Sequence, residues 1–203
     1  MSKPSSESWA AYYARTGNRP PRRTLLVALN RFAADTGSEG GKFALDLGCG
    51  NGRDTVELLR RGWSVLAVDA EPKAIEGLLE RPDLPPGARL ETRTVRFEDA
   101  LLPTADLVNS SFALSLQPPS AFPVTWNRIV RAVRPGGRIA CQLYGVNDEW
   151  AGDPTITFFT REGVENLLAP LAWELIDEEE TDSVTPRGKP KHWHIFHIVA
   201  RKP

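Results

Sequence analysis

The chain has 203 residues, 41% of them hydrophobic and 25% charged, with a formal net charge of −1. That length and balance suit one globular domain with a continuous core, and they argue against a protein that lives on polyanions, which needs surplus lysine and arginine. No uncharged apolar run is long enough for a membrane span, and the opening MSKPSSES lacks the apolar stretch of a secretory signal. The two cysteines, Cys49 and Cys141, sit in no Cys-x-x-Cys pattern, so neither a disulfide framework nor a cysteine metal site is expected. A cytoplasmic protein is the expectation.

The first forty residues stand apart from the rest. SESWAAYYARTG reads as a short aromatic helix, NRPPRR as a stiff connector whose prolines fix φ, and TLLVALNRFAADTG as a second helix with Leu25, Leu26, Leu29 and Phe32 on one face. Strands and helices then alternate. KFALDLG and WSVLAVD are buried strands, separated by a helix over 54–61. Pro72 suits the first turn of the next helix. RLETRTVRF and ADLVNSS follow as strands, then a helix over 119–133, stopped by Pro135 and two glycines, and the strand RIACQLYG. Thr160 is a good N-cap for TREGVENLLAP. LAWELIDEEE and HWHIFHIVARK close the chain as an antiparallel pair. This alternation implies a mostly parallel sheet with helices on both faces and one antiparallel strand.

The sharpest motif is Asp46-Leu47-Gly48-Cys49-Gly50-Asn51-Gly52, between a buried strand and a helix. Glycines there let a ligand approach the backbone. The dinucleotide spacing would need a third glycine where Arg53 stands, and Asp46 would repel a pyrophosphate. Asp69, at the tip of the next strand, can accept both hydroxyls of a ribose. The pattern therefore favours a nucleoside with a diol and an ammonium-bearing tail.

LDLGCGNGRDT followed by VLAVDAEPKAI resembles the cofactor half of the class I methyltransferases that use S-adenosylmethionine (SAM). VNSSFALSL, VRPGGRIACQLYGVNDEW and PKHWHIFHIVARK are similar to later strands of small-molecule members of the tellurite-resistance and thiopurine type. The resemblance implies an α/β, Rossmann-like, seven-stranded sheet of order 3-2-1-4-5-7-6 with extra N-terminal helices. It implies a single domain over 1–203, with residues 1–40 as a helical lid and 41–203 as the SAM-binding core. It places Asp46 at the SAM amino group, Gly48 and Gly50 along the methionine part, and Asp69 at the ribose. Cys49, Asn51, Gly52, Arg53 and Ala70 complete the cofactor set around these. Family members carry an acidic residue after the third strand to read adenine N6. Arg96 stands there, so Glu98 or Asp99 must serve, or the backbone, with Phe97 flanking the ring.

Beyond the fourth strand lies Asn109-Ser110-Ser111-Phe112. Methyltransferases of DNA-base amines carry Asn/Asp-Pro-Pro-aromatic at this position. Two serines replace both prolines, which with the charge balance disfavours a nucleic-acid acceptor. Asn109 is grouped with the cofactor residues and Phe112 with the acceptor pocket. Tyr144 and Trp150, on a loop after the fifth strand, are further pocket candidates. The lid reading adds Tyr13 near the cofactor and Arg19 near a carboxylate. All three histidines fall in KHWHIFH. His192 and His194 face one way and His197 the other, and a structural or surface role is expected, on a strand largely remote from the active end. The acidic run 177–180 reads most simply as a solvated edge, with pairing to Lys189 and Lys191 across the hairpin as the alternative, worth little if exposed.

The function read from this is SAM-dependent methyl transfer to a small acceptor by in-line displacement, with no metal and no membrane partner. The alternatives are a SAM sensor without turnover, a nucleic-acid base methyltransferase and, against Arg53 and Asp46, a nucleotide-dependent oxidoreductase. No general base can be named, Asp148 and Tyr144 being guesses, and that absence leans towards a soft or ionised acceptor.

Overall fold

The computed structural model describes residues 19–37, 40–185 and 188–203. The expected helix around Trp9, Tyr12 and Tyr13 lies outside these residues. Helix α1 (Arg23–Thr36) starts after the prolines and ends where Gly37 turns left-handed at φ 64°. Its buried Leu25, Ala28, Leu29 and Phe32 recur at helical spacing. Then follow β1 (Phe43–Leu47), α2 (Arg53–Arg60), β2 (Ser64–Asp69), α3 (Pro72–Leu79), β3 (Leu90–Thr94) and β4 (Ala105–Ser110). The second half comprises α4 (Phe122–Ala132), β5 (Val133–Gly145), β6 (Phe158–Phe159), α5 (Arg161–Leu168), β7 (Ala172–Val184) and β8 (Pro190–Arg201). Pro72 opens α3, and the Thr160 hydroxyl accepts the Gly163 N–H at the start of α5.

The strands form one sheet in the order β3-β2-β1-β4-β5-β8-β7, with β8 antiparallel to β5 and β7 antiparallel to β8. With the two-residue β6 set aside, this is the expected order. The expected seven strands become eight because β5 is longer than β4. Their pairing ends at Ser110↔Cys141, and β6 takes over that edge at Tyr144↔Phe158 and Gly145↔Phe159. The exposed backbone of the β5 extension is thereby paired. The final hairpin is also longer than its hydrophobic runs suggest. Pairing continues through the polar residues to Val184↔Pro190, because cross-strand acid–histidine contacts hold it where apolar burial does not.

Each face of the sheet carries a core. Leu45, Val68, Trp126, Ile129, Val164 and Leu168 belong to the one beneath α4 and α5. Leu29, Phe32, Leu58, Trp63, Val65 and Leu78 belong to the one beneath α1, α2 and α3. Arg138 crosses the second layer fully buried, with its guanidinium on Glu174 at 2.6 Å and Asp35 at 2.6 Å and over the Phe32 ring at 4.5 Å. It ties the end of α1 to β7. Among the described residues no helix is long and apolar enough to cross a membrane.

Candidate active site

A cavity of about 610 Å³ opens beyond the carboxyl ends of the parallel strands, where open α/β sheets take their ligands. Its floor is the loop between β1 and α2. Gly48 has φ 70°, and a Cβ there would come within 2.3 Å of Ala113 Cβ and 3.4 Å of Phe97 Cζ. Only glycine permits that turn under that neighbour. The loop's N–H groups are largely committed inside the protein. Gly48 and Cys49 donate to Val68 O at 2.7 and 3.1 Å, Gly52 to Cys49 O at 3.0 Å, and Gly50 to Asp69 Oδ2 at 2.8 Å. A pyrophosphate would need such donors pointing outward.

The loop instead presents carboxylates. Asp46 is the single charged residue of β1, buried where a parallel strand otherwise reads as apolar. Its Oδ2 accepts the Thr55 hydroxyl at 2.5 Å and its Oδ1 the Asn109 amide at 2.9 Å. Asp54, in the first turn of α2, accepts from Ser111 Oγ at 2.5 Å, Asn109 Nδ2 at 3.2 Å and the Arg22 N–H at 2.8 Å. Burial, then the charge of Asp54, push the Asp46 carboxyl up to about 7. Asp69 has one oxygen on the Gly50 N–H and the other on the Glu71 N–H at 2.9 Å. Burial also raises its pKa. Each oxygen keeps a further lone pair for a ligand.

Most residues read from the sequence as cofactor contacts line this cavity: Asp46, Gly48, Cys49, Gly50, Asn51 and Arg53 from the loop, and Asp69, Ala70, Phe97 and Glu98 around it. Two do not. Gly52 faces away, as the left-handed N-cap of α2 at φ 82°, and a Cβ there would meet Leu78 Cδ1 at 2.2 Å. It serves the packing of α3 on α2. Asn109 is fully buried behind the floor and holds Asp46 and Asp54 together. Burial pushes the Cys49 thiol far up and that of Cys141 to about 12, so both stay protonated thiols. The expected adenine side is held from behind by Arg128 of α4, which donates to the carbonyls of Phe97 at 2.9 Å, Glu98 at 2.8 Å and Ala100. Glu98 itself pairs with Arg96 at 2.6 Å.

The opposite wall is aromatic. Phe112, Tyr144 and Trp150 line it, and Arg19 reaches the cavity from the connector. Tyr13 lies outside the described residues. Phe112 holds φ 57°, the one left-handed non-glycine residue among those described. Its N–H donates to Gln142 Oε1 at 3.2 Å, Gln142 donates on to Thr24 Oγ1 at 2.7 Å, and the Arg22 guanidinium covers its ring at 4.2 Å. Trp193 joins the wall, 5.8 Å from Trp150 and 6.4 Å from Tyr144.

The final strands depart from expectation. His197, Ile195 and Trp193 of β8, with Glu179 and Thr181 of β7, line the cavity; β8 is a wall of the site. His197 Nε2 lies 2.9 Å from Glu179 Oε2. His192 and His194 face the other way. His192 pairs with Asp182 at 2.8 Å and Glu180 at 3.1 Å, His194 with Glu178 at 2.9 Å. The acidic run thus meets histidines, while Asp177 pairs with Arg23. Lys191 turns inward to Asp148, and both side chains are fully buried. The ammonium sits 4.0 Å from the Trp193 ring centre and 4.2 Å from that of Trp150. Asp148 is therefore spent on Lys191 and on the N–H groups of Trp150 at 3.0 Å and His194 at 3.3 Å; it is not among the residues that line the cavity. No metal-holding group of His, Cys, Asp and Glu occurs among the described residues.

Residues 44–137 match the family model described as "Methyltransferase domain". An uncharacterised methyltransferase of Synechocystis is 28% identical over 152 residues, covering 68% of this chain and 62% of that protein. The chain spans less than two thirds of the length of the curated relatives it matches. Among solved structures, TehB from Haemophilus influenzae is similar with a TM-score of 0.75 at 16% identity, covering 97% of this chain and 68% of that one. Magnesium protoporphyrin IX methyltransferase from Synechocystis, solved with bound S-adenosylhomocysteine, gives a TM-score of 0.71 at 14% identity, covering 98% and 95%. Residues 44–137 thus match a methyltransferase-domain model, and the chain built around them has the fold of these solved class I methyltransferases.

Proposed function

We propose that the protein transfers the methyl group of SAM to a small organic acceptor. One observation carries this reading: two buried carboxylates, Asp46 and Asp69, flank a glycine loop whose N–H groups are largely committed internally. That donor set is wrong for a pyrophosphate and right for a diol at one end and an ammonium at the other. SAM would supply an activated sulfonium methyl. Asp46 would take its ammonium, Asp69 its ribose hydroxyls, and Phe97 one face of the adenine. Asn109, Thr55 and Ser111 would keep the two floor carboxylates in place. Positioning then supplies most of the catalysis.

A small acceptor is favoured because the aromatic wall and the floor bound the same cavity, and because the chain has no basic surplus for nucleic acid. The connector supports the lid reading of residues 1–40 within a single domain: Pro20 O accepts the Arg53 guanidinium at 2.5 Å, and Arg19 and Arg22 line the cavity. Two free, buried cysteines favour a cytoplasmic setting. Calorimetry with SAM and with NADH tests the reading. SAM is expected to bind, NADH is not, and Asp69→Ala should abolish SAM binding. A wild-type protein that ignores SAM would sink it. SAM binding without turnover on any acceptor would instead make the protein a sensor.

A further inference from the structure

His197 and Glu179 form a hydrogen-bonded pair on the acceptor side of the cavity, and the reading above gives this pair no role. The pair sits where catalysis could use it. The Phe112 ring, at the edge of the cofactor floor, is 6.3 Å from the His197 ring and 6.3 Å from that of Tyr144. Tyr144 continues to Trp150 at 5.5 Å. An imidazole thus lines the cavity of the cofactor floor, with Phe112 between it and the rest of the aromatic wall. With Glu179 accepting at Nε2, the neutral ring carries its hydrogen there and leaves Nδ1 as a bare acceptor. Among the described residues Nδ1 has no hydrogen-bond partner. A carboxylate that fixes the tautomer of a histidine facing a cavity is the usual arrangement of a general base.

We propose that His197 is the general base of the methyl transfer, that Glu179 is its positioning residue, and that the acceptor is a planar aromatic compound with a weakly acidic O–H or ring N–H. This rests on the methyltransferase reading. A flat ring would lie against the wall formed by Phe112, Tyr144, Trp150 and Trp193. His197 Nδ1 takes the acceptor's proton as the acceptor's lone pair bonds to the methyl carbon. The S–C bond breaks with its electron pair left on sulfur. A sulfonium and a protic acceptor become a thioether, a methylated product and one proton, which the imidazolium passes to water. The charged groups around His197 are Glu179 and Asp177 on β7, with Arg23 paired to Asp177, and Arg22 over Phe112.

The test uses the full chain and three probes of similar shape. Catechol and phthalimide carry the proton to be removed; thiophenol, largely ionised at mildly alkaline pH, does not. His197→Gln should slow methylation of catechol or phthalimide by about 10²–10⁴-fold and, at saturating SAM, remove the acid limb of the pH profile. Thiophenol methylation should fall by no more than about tenfold, and SAM affinity by calorimetry should stay within about twofold of wild type. Nitrogen-15 spectra of wild type should show His197 as the Nε2–H tautomer, and Glu179→Gln should mix the tautomers. Equal loss on all three probes, or none on any, overturns the base. Wild type that binds SAM and methylates neither protic probe overturns the acceptor class. Failure of wild type to bind SAM strikes the methyltransferase reading itself.

Discussion

The charge state of Asp46 should set the pH dependence of cofactor affinity. Its carboxyl is raised to about 7, first by burial and then by Asp54. In the free protein it is therefore largely protonated in mild acid. An ammonium beside it needs the ionised form, so binding SAM below pH 7 must expel a proton. The penalty is about 1.4 kcal/mol, or tenfold in affinity, for each pH unit below that value. Affinity should rise about fivefold between pH 6 and pH 7, gain about a further twofold above that, and then level off. It should fall again as the SAM ammonium itself titrates, in the ordinary α-amino range of about 7.7–8.0. Calorimetry in buffers of different ionisation enthalpy would count the proton released. Asp46→Asn should flatten the acid limb and bind more weakly throughout. Without ligand the sign reverses. A carboxyl raised on folding stabilises most when protonated, and loses that contribution as pH rises from about 4 through 7. Asp46→Asn should thus melt higher than wild type at neutral pH, with the gain shrinking in acid. A flat profile in wild type, or an acid limb that survives in Asp46→Asn, would refute the assignment.

Asp69→Ala frees two N–H groups, of Gly50 and Glu71, so it should lower melting temperature as well as SAM affinity, costing roughly 1–3 kcal/mol in a denaturant titration. Gly52→Ala puts a Cβ 2.2 Å from Leu78 Cδ1 at φ 82°. Chemical denaturation should register a loss of about 2–4 kcal/mol, and Leu78→Ala in the same chain should make the two losses less than additive. Arg138→Met strands two acids beside a buried gap and should cost about 3–5 kcal/mol in urea, with much of it recovered when Glu174 is also made apolar.

The cofactor floor was readable because its chemistry is local. Asp46, Gly48 and Gly50 fall within five residues, and Asp69 ends the adjacent strand, so strand pairing alone brings them together. Asp54 carries no local signal of its own: it lies in the first turn of α2, and its partners Asn109 in β4 and Ser111 just after it stand more than fifty residues along the chain. Arg128 could not be found, because it acts through carbonyl oxygens about thirty residues away. His197 was placed on the correct strand face and assigned to the wrong surroundings. Alternation tells which residues share a face; it does not tell that Glu179 comes level with Tyr144 at the end of β5, or that β7 and β8 run past β5 and bring Thr181 and Trp193 to the cavity. The post-β5 loop supplies no base at Asp148, which is committed to Lys191.

The Arg22 N–H and the cofactor floor share one carboxylate. Asp54 receives the connector's backbone on one oxygen and the Asn109–Ser111 network on the other. Whatever seats or lifts the chain before α1 therefore changes the hydration of Asp54, and through it the field on Asp46. The connector and the floor of the cavity thus form one electrostatic unit, joined at Asp54. A change at the Arg22 N–H is felt at Asp46 without any contact between the two residues.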